Sequence, residues 1–300
     1  MHDTFRGTGT ALVTPFHKDG SIDFQAFESL IEYQIRNRVD YLVFLGTTGE
    51  SVTLNRAERM AVVNQAIEVV DGRIPVVVGA GGNNTRDVED FIRELPSEGI
   101  DAVLSVSPYY NKPQQKGIFL HFKSIASACR VPVIIYNVPG RTASNITAET
   151  TLRIAREVPN VIGIKEASHD LAQCARILRD RPEGFLVISG NDDLALPFMA
   201  LGGDGVISVI ANAFPGEFSQ MIRFCLEDAF LQARGLHNHL LDVVEGIYAD
   251  GSPSGIKAVL SMKGLCQNAL RLPLVRINKS LHNHLSALLD NLEPEQYTSE

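Results

Sequence analysis

Val- and Ile-rich apolar runs of strand length recur along the chain, at 9–16, 41–46, 74–81, 102–108, 131–139, 161–167, 185–191 and 205–212. They are apolar on successive positions, not alternate ones. That is the pattern of strands covered on both faces, as in a parallel sheet. Between them, apolar residues three and four apart predict amphipathic helices, clearest at 24–37, 55–70 and 147–158. Asn55 followed three positions on by Glu58 is a near-match to a capping box. Thr147 reads as an N-cap, with Thr150 where a box would carry Glu.

Eight strands alternating with helices predict an α/β fold of the (β/α)8 TIM-barrel type. An open doubly wound sheet is the alternative. The regular repeat, and the lack of Gly-x-Gly-x-x-Gly after the first strand, favour the barrel. From about 217 to 295 the pattern is helical without further strands. The expected division is a barrel at 1–216 and a C-terminal helical region, 217–300, packed on it.

Composition adds exclusions. The 300 residues are 45% hydrophobic and 21% charged, an ordinary globular balance, and the net charge of −8 argues against nucleic acid as a partner. Cys129, Cys174, Cys225 and Cys266 are scattered, with no C-x-x-C pair to suggest a disulfide framework or a zinc site. The first residues lack the basic end and apolar core of a signal peptide, and no apolar run approaches a membrane span. A cytoplasmic protein without a membrane partner is the expectation.

Active sites of such barrels form at the carboxyl ends of the strands. The residues found there are Thr47 and Thr48 in "GTTGES", Tyr109 and Tyr110 in "SPYYNKP", Tyr136 before "NVPGRT", and Lys165 in "GIKEAS". "SGND" ends the seventh strand. A lysine closing an apolar strand can snorkel outward or pair with a carboxylate. Buried instead, it loses its preference for the ammonium form and becomes the neutral amine that attacks a carbonyl. Thr47 and Thr48 make a simple turn or a hydroxyl and N–H cradle for a small carboxylate. Arg141 is a surface cation or a two-pronged grip on a substrate carboxylate. The tyrosines are packing residues or interface aromatics. "GAGGNN" lacks the last glycine of the dinucleotide fingerprint and "GSPSG" misses the nucleophile elbow. The two "HNH" triplets, at 237–239 and 282–284, are expected to face solvent and not to bind metal.

"GTTGES", "SPYYNKP", "YNVPGRT" and "GIKEAS", in that order, make the chain resemble the dihydrodipicolinate synthase/N-acetylneuraminate lyase family over about residues 7–295. These are pyruvate-dependent class I aldolases on a (β/α)8 barrel. The resemblance implies that Lys165 forms an imine with pyruvate and that Tyr136 moves protons beside it. It implies that Thr48 links Tyr136 to Tyr110, which reaches in from a neighbouring subunit. Thr47 and Thr48 would hold the pyruvate carboxylate, and Gly190 and the main chain of Ile207 would line the pocket. Arg141, in "YNVPGRT", favours the synthase branch, in which it binds the carboxylate of aspartate semialdehyde on the diaminopimelate route to lysine. An aldolase for N-acetylneuraminate or 2-keto-3-deoxy sugar acids, and a non-catalytic keto-acid sensor, are the other readings. No metal or organic cofactor is implied, only the covalent imine. The assembly implied is a homotetramer, a dimer of dimers. In lysine-inhibited members an interface pocket occupies positions that read Ser51, Val52, Arg56, Arg59, Asn83, Asp87 and Tyr109 here. Arg59 puts a cation where the inhibitor's amine would sit, so weak or absent inhibition is expected.

Overall fold

The computed structural model describes residues 3–292. Its strands are β1 Gly7–Ala11, β2 Tyr41–Phe44, β3 Val76–Gly79, β4 Ala102–Val106, β5 Val133–Asn137, β6 Val161–Glu166, β7 Leu186–Ser189 and β8 Gly205–Ser208. All pair in parallel with their neighbours in sequence, and β8 returns to β1 to close the barrel. The helices are α1 Phe24–Arg36, α2 Arg56–Val70, α3 Thr85–Glu94, α4 Gln115–Ala128, α5 Pro139–Thr142, α6 Ala148–Glu157, α7 Leu171–Asp180, α8 Ala195–Ala200, α9 Pro215–Leu226, α10 Phe230–Ala249, α11 Ser254–Met262 and α12 Lys279–Asn291.

The continuous apolar runs are explained by burial on both faces. Tyr41, Val43, Ala102, Leu104, Ile134, Tyr136, Leu186 and Ile188, spaced two apart along their strands, fill the barrel interior. Leu42, Phe44, Val103, Val133, Ile135 and Val187 face the helices in a second, larger core. Most apolar runs overshoot their strands, because buried residues continue into the loops, as at Leu45, Ala80 and Val138. At the first strand the run is displaced. β1 begins at Gly7 and contains Thr8 and Thr10, both fully buried, so its sequence hides its burial.

The predicted caps are present. The Asn55 side chain accepts from the Glu58 N–H at 3.0 Å, and Glu58 accepts from the Asn55 N–H at 2.9 Å, a complete capping box on α2. Thr147 caps α6 by accepting from the Thr150 N–H.

Helices α9 to α12 follow the barrel, and their apolar residues belong to the same outer core. Residues 293–300, the end of the expected helical region, lie outside the described residues. Of the "HNH" histidines, His282 and His284 are exposed on α12. His237 and His239 are half-buried on α10, against the expectation, because that helix packs against α9, α11 and α12. Among the described residues no three His, Cys, Asp or Glu side chains form a cluster able to hold a metal ion.

Candidate active site

A cavity of about 800 Å³ opens at the carboxyl end of the barrel. Thr47, Thr48, Ser51, Val52, Tyr109, Tyr136, Arg141, Lys165 and Gly190 all line it, so the structure brings together most of the residues singled out in the sequence.

Lys165 sits near the end of β6, paired in register with Tyr136 on β5. It is 5% exposed, and its Nζ lies 4.5 Å from the centre of the Tyr136 ring. Burial lowers its pKa to about 8; Asp192 opposes the shift and Arg141 adds to it. Gly190 makes this placement possible. A Cβ there would come within 2.8 Å of Lys165 Cε and 2.7 Å of the Ala167 Cβ. A side chain there would force the lysine stem or Ala167 to shift.

Burial pushes the Tyr136 phenol up, while Arg141 and a hydrogen bond with Thr47 work against that shift. Thr47 is the threonine whose hydroxyl bears on the Tyr136 phenol, where Thr48 was expected; Thr48 is 4% exposed, and both line the cavity. The loop turns tightly between the two threonines, and sequence alone could not tell which one faces β5. Arg141 lies on α5 at the mouth, exposed, with a long 3.4 Å contact from Nη2 to the Ser252 carbonyl.

Three expectations are placed differently. Ile207, on β8, is fully buried inside the barrel and is not part of the cavity wall. Val209, two residues on, takes that place. Tyr110 is 87% exposed, with φ +75°, and does not line the cavity. The positions compared with the inhibitor pocket are divided. Ser51, Val52 and Tyr109 share the cavity, and Arg59 Nε donates to the Ser51 and Leu54 carbonyls at 3.0 and 3.1 Å. Arg56 is paired with Glu94 at 2.6 Å, its guanidinium 4.9 Å from the centre of the Phe91 ring. Asn83 and Asp87 are exposed.

Sequence reasoning passed over other groups. Asp192, 2% exposed, accepts from the Val209 and Ile210 N–H groups at 3.0 and 2.9 Å and from the Tyr248 hydroxyl at 3.2 Å. Burial raises its pKa despite those donors. The signal was available in "SGND". Tyr248 lies on α10, far past the last strand, and nothing in its surroundings marked it. Ser252, in the discarded "GSPSG", also lines the cavity. Glu166, next to Lys165, turns away into a buried network, accepting from Asn137 and Gln173 side chains at 3.0 and 2.9 Å and from the Ser168 N–H at 2.8 Å.

The closed barrel and the buried amine at its mouth define a class, the (β/α)8 barrels equipped for amine–carbonyl chemistry. Comparison with known proteins narrows it: the Dihydrodipicolinate synthetase family model matches residues 4–292, and the chain belongs to that family. It is 50% identical over 270 residues to a 4-hydroxy-tetrahydrodipicolinate synthase of Parabacteroides distasonis, covering 90% of this chain and 91% of that protein. The dihydrodipicolinate synthase of Thermotoga maritima superposes with a TM-score of 0.93 at 40% identity, over 96% of this chain and 98% of the other. The chloride-inhibited dihydrodipicolinate synthase of Acinetobacter baumannii, solved in complex with pyruvate, superposes with a TM-score of 0.92 at 36% identity, over 95% and 98%.

Proposed function

We propose that this chain is a lyase of class I aldolase type that carries out 4-hydroxy-tetrahydrodipicolinate synthesis, condensing pyruvate with L-aspartate-4-semialdehyde through an imine on Lys165. The observation that carries the reading is the buried Lys165 amine, with its pKa lowered to about 8, on the wall of the cavity. The relatives' names and the pyruvate complex of the Acinetobacter enzyme support the substrates.

Neutral Lys165 attacks the ketone carbon of pyruvate, and the carbinolamine loses water to give the iminium. Tyr136 supplies the proton that leaves with that water and takes protons back later, relayed by the Thr47 hydroxyl. The Thr47–Thr48 loop holds the pyruvate carboxylate. The iminium draws electrons from the adjacent methyl group, which loses a proton and leaves an enamine. The enamine carbon attacks the aldehyde while Arg141 grips the semialdehyde carboxylate at the mouth. The amino group of the adduct then closes onto the imine carbon and displaces Lys165, restoring the amine. The sequence is complete in protons and electrons without a metal or organic cofactor.

The assembly in this reading is a homotetramer made of dimers, in which the exposed Tyr110 enters a neighbour's site and completes the relay. Working in the cytoplasm suits a biosynthetic enzyme, and among the described residues no helix is long and apolar enough to cross a membrane. Lysine is expected to inhibit weakly or not at all, because the Arg59 guanidinium, held by the Ser51 and Leu54 carbonyls, places a cation where the inhibitor's amine would sit. A lysine titration is expected to leave turnover nearly unchanged; strong inhibition would overturn this point.

Turnover separates the functions. Pyruvate with aspartate semialdehyde is expected to react far faster than N-acetylneuraminate or 2-keto-3-deoxy sugar acids are cleaved. Faster sugar-acid cleavage would move the chain to that branch. Turnover no better than that of Lys165→Ala would favour the sensor.

A further inference from the structure

Among the described residues the most deeply buried ion pair lies outside the cavity, behind the loop that carries Thr47. Lys257, on α11, and Glu50, in "GTTGES", are in direct contact, and both side chains are fully buried. Lys257 Nζ also donates to the Ala269 carbonyl at 2.9 Å and lies 4.2 Å from the centre of the Phe16 ring. The second Glu50 oxygen accepts from the Arg271 N–H at 3.1 Å. The Arg271 guanidinium then reaches Glu58 at 2.6 and 2.8 Å, the Thr53 carbonyl at 2.9 Å and the Gly20 carbonyl at 2.8 Å. One stretch of chain after the barrel thus holds the middle of the loop between β2 and α2, at Glu50, its later part, at Thr53, and the first turn of α2, at Glu58.

The restraint reaches Thr47 through the main chain. Glu50 has φ +51°, a left-handed conformation that a residue with a Cβ adopts at some cost. In that conformation its N–H donates to the Thr47 carbonyl at 3.1 Å, and the Gly49 N–H to the Gly46 carbonyl at 3.1 Å. The Thr14 hydroxyl fixes the Gly49 carbonyl at 2.7 Å. A buried ion pair is a poor source of stability, since desolvation cancels much of its attraction. What it supplies is geometry: two charged groups that satisfy each other in one arrangement only.

We infer that Glu50 and Lys257 are positioning residues for the reaction, holding the loop so that the Thr47 hydroxyl meets Tyr136. This rests on the role given to Thr47 above. It makes the C-terminal region part of the catalytic apparatus. Neither side chain touches substrate.

The test is a cycle between Thr47→Val and the neutral, similar-sized pair Glu50→Gln/Lys257→Met, which leaves no buried charge alone. Thr47→Val is expected to lower kcat by roughly a hundredfold. The neutral pair, in protein with an unchanged circular dichroism spectrum, is expected to lower kcat by about tenfold, with little change in the KM for pyruvate. In the Thr47→Val background the same pair should cost less than about twofold, because the group it positions is gone. A merely structural pair would give the same loss in both backgrounds, and that result would overturn the inference, as would no loss at all. Should Thr47→Val leave kcat unchanged, the assigned role of Thr47 fails and the positioning claim with it. Additive losses with an impaired Thr47→Val sink the positioning claim alone. If the neutral pair does not fold, Lys257→Arg, which keeps the charge but moves it, runs the same cycle with the same two outcomes.

Discussion

Burial drives Lys165 towards the neutral amine, Asp192 pulls against it and Arg141 adds to the drive. The balance leaves a pKa of about 8. At pH 7 roughly a tenth of the groups are then neutral, some hundreds of times more than for an ordinary lysine. In the proposed mechanism the lowered group must lose a proton to act, so the rate of imine formation is expected to rise with pH. It should climb about tenfold per pH unit below 8 and level off above it, read by stopped-flow mixing with pyruvate. A rate independent of pH between 6 and 9 would mean that amine deprotonation does not limit the step. Lys165 and Tyr136 were legible in the sequence because each is an unusual residue type near a strand end, and Arg141 because it follows one in "NVPGRT". The assignment between Thr47 and Thr48 was not, since adjacent threonines in a tight turn differ only in which way the backbone points them. Asp192 was passed over beside the glycine that makes room for Lys165.

The barrel strands were visible as elements because burial on both faces leaves a continuous apolar signature. β1 was the exception, since its buried Thr8 and Thr10 interrupt the signal. Close packing also reaches the strand ends. The carboxyl end of β7 runs into Gly190, whose Cα faces the Lys165 stem. Gly190→Ala should therefore do two things at once. It should destabilise the fold by about 1–3 kcal/mol through overpacking, seen as a lower midpoint in thermal denaturation. It should also displace Lys165 and slow pyruvate imine formation. Normal stability and normal imine formation would show that the neighbourhood yields, and that the close approach is not a constraint.

At the scale of the whole molecule, the sequence pattern announced a barrel followed by helices but not how closely the two are joined. Tyr248 and Ser252 line the cavity, and Lys257 and Arg271 clamp a barrel loop; all four come from beyond the last strand. Such contacts join residues some two hundred positions apart, as between Glu50 and Lys257, and local periodicity carries no information about them. In the proposed function the arrangement serves one covalent step at Lys165. The most direct measurement is to incubate the protein with pyruvate, reduce with borohydride and map the modified peptide by mass spectrometry. The account predicts a pyruvyl adduct on Lys165, retained in Arg141→Ala, whose loss should fall on the second substrate. A folded protein with no adduct, or with an adduct on another lysine, would contradict it.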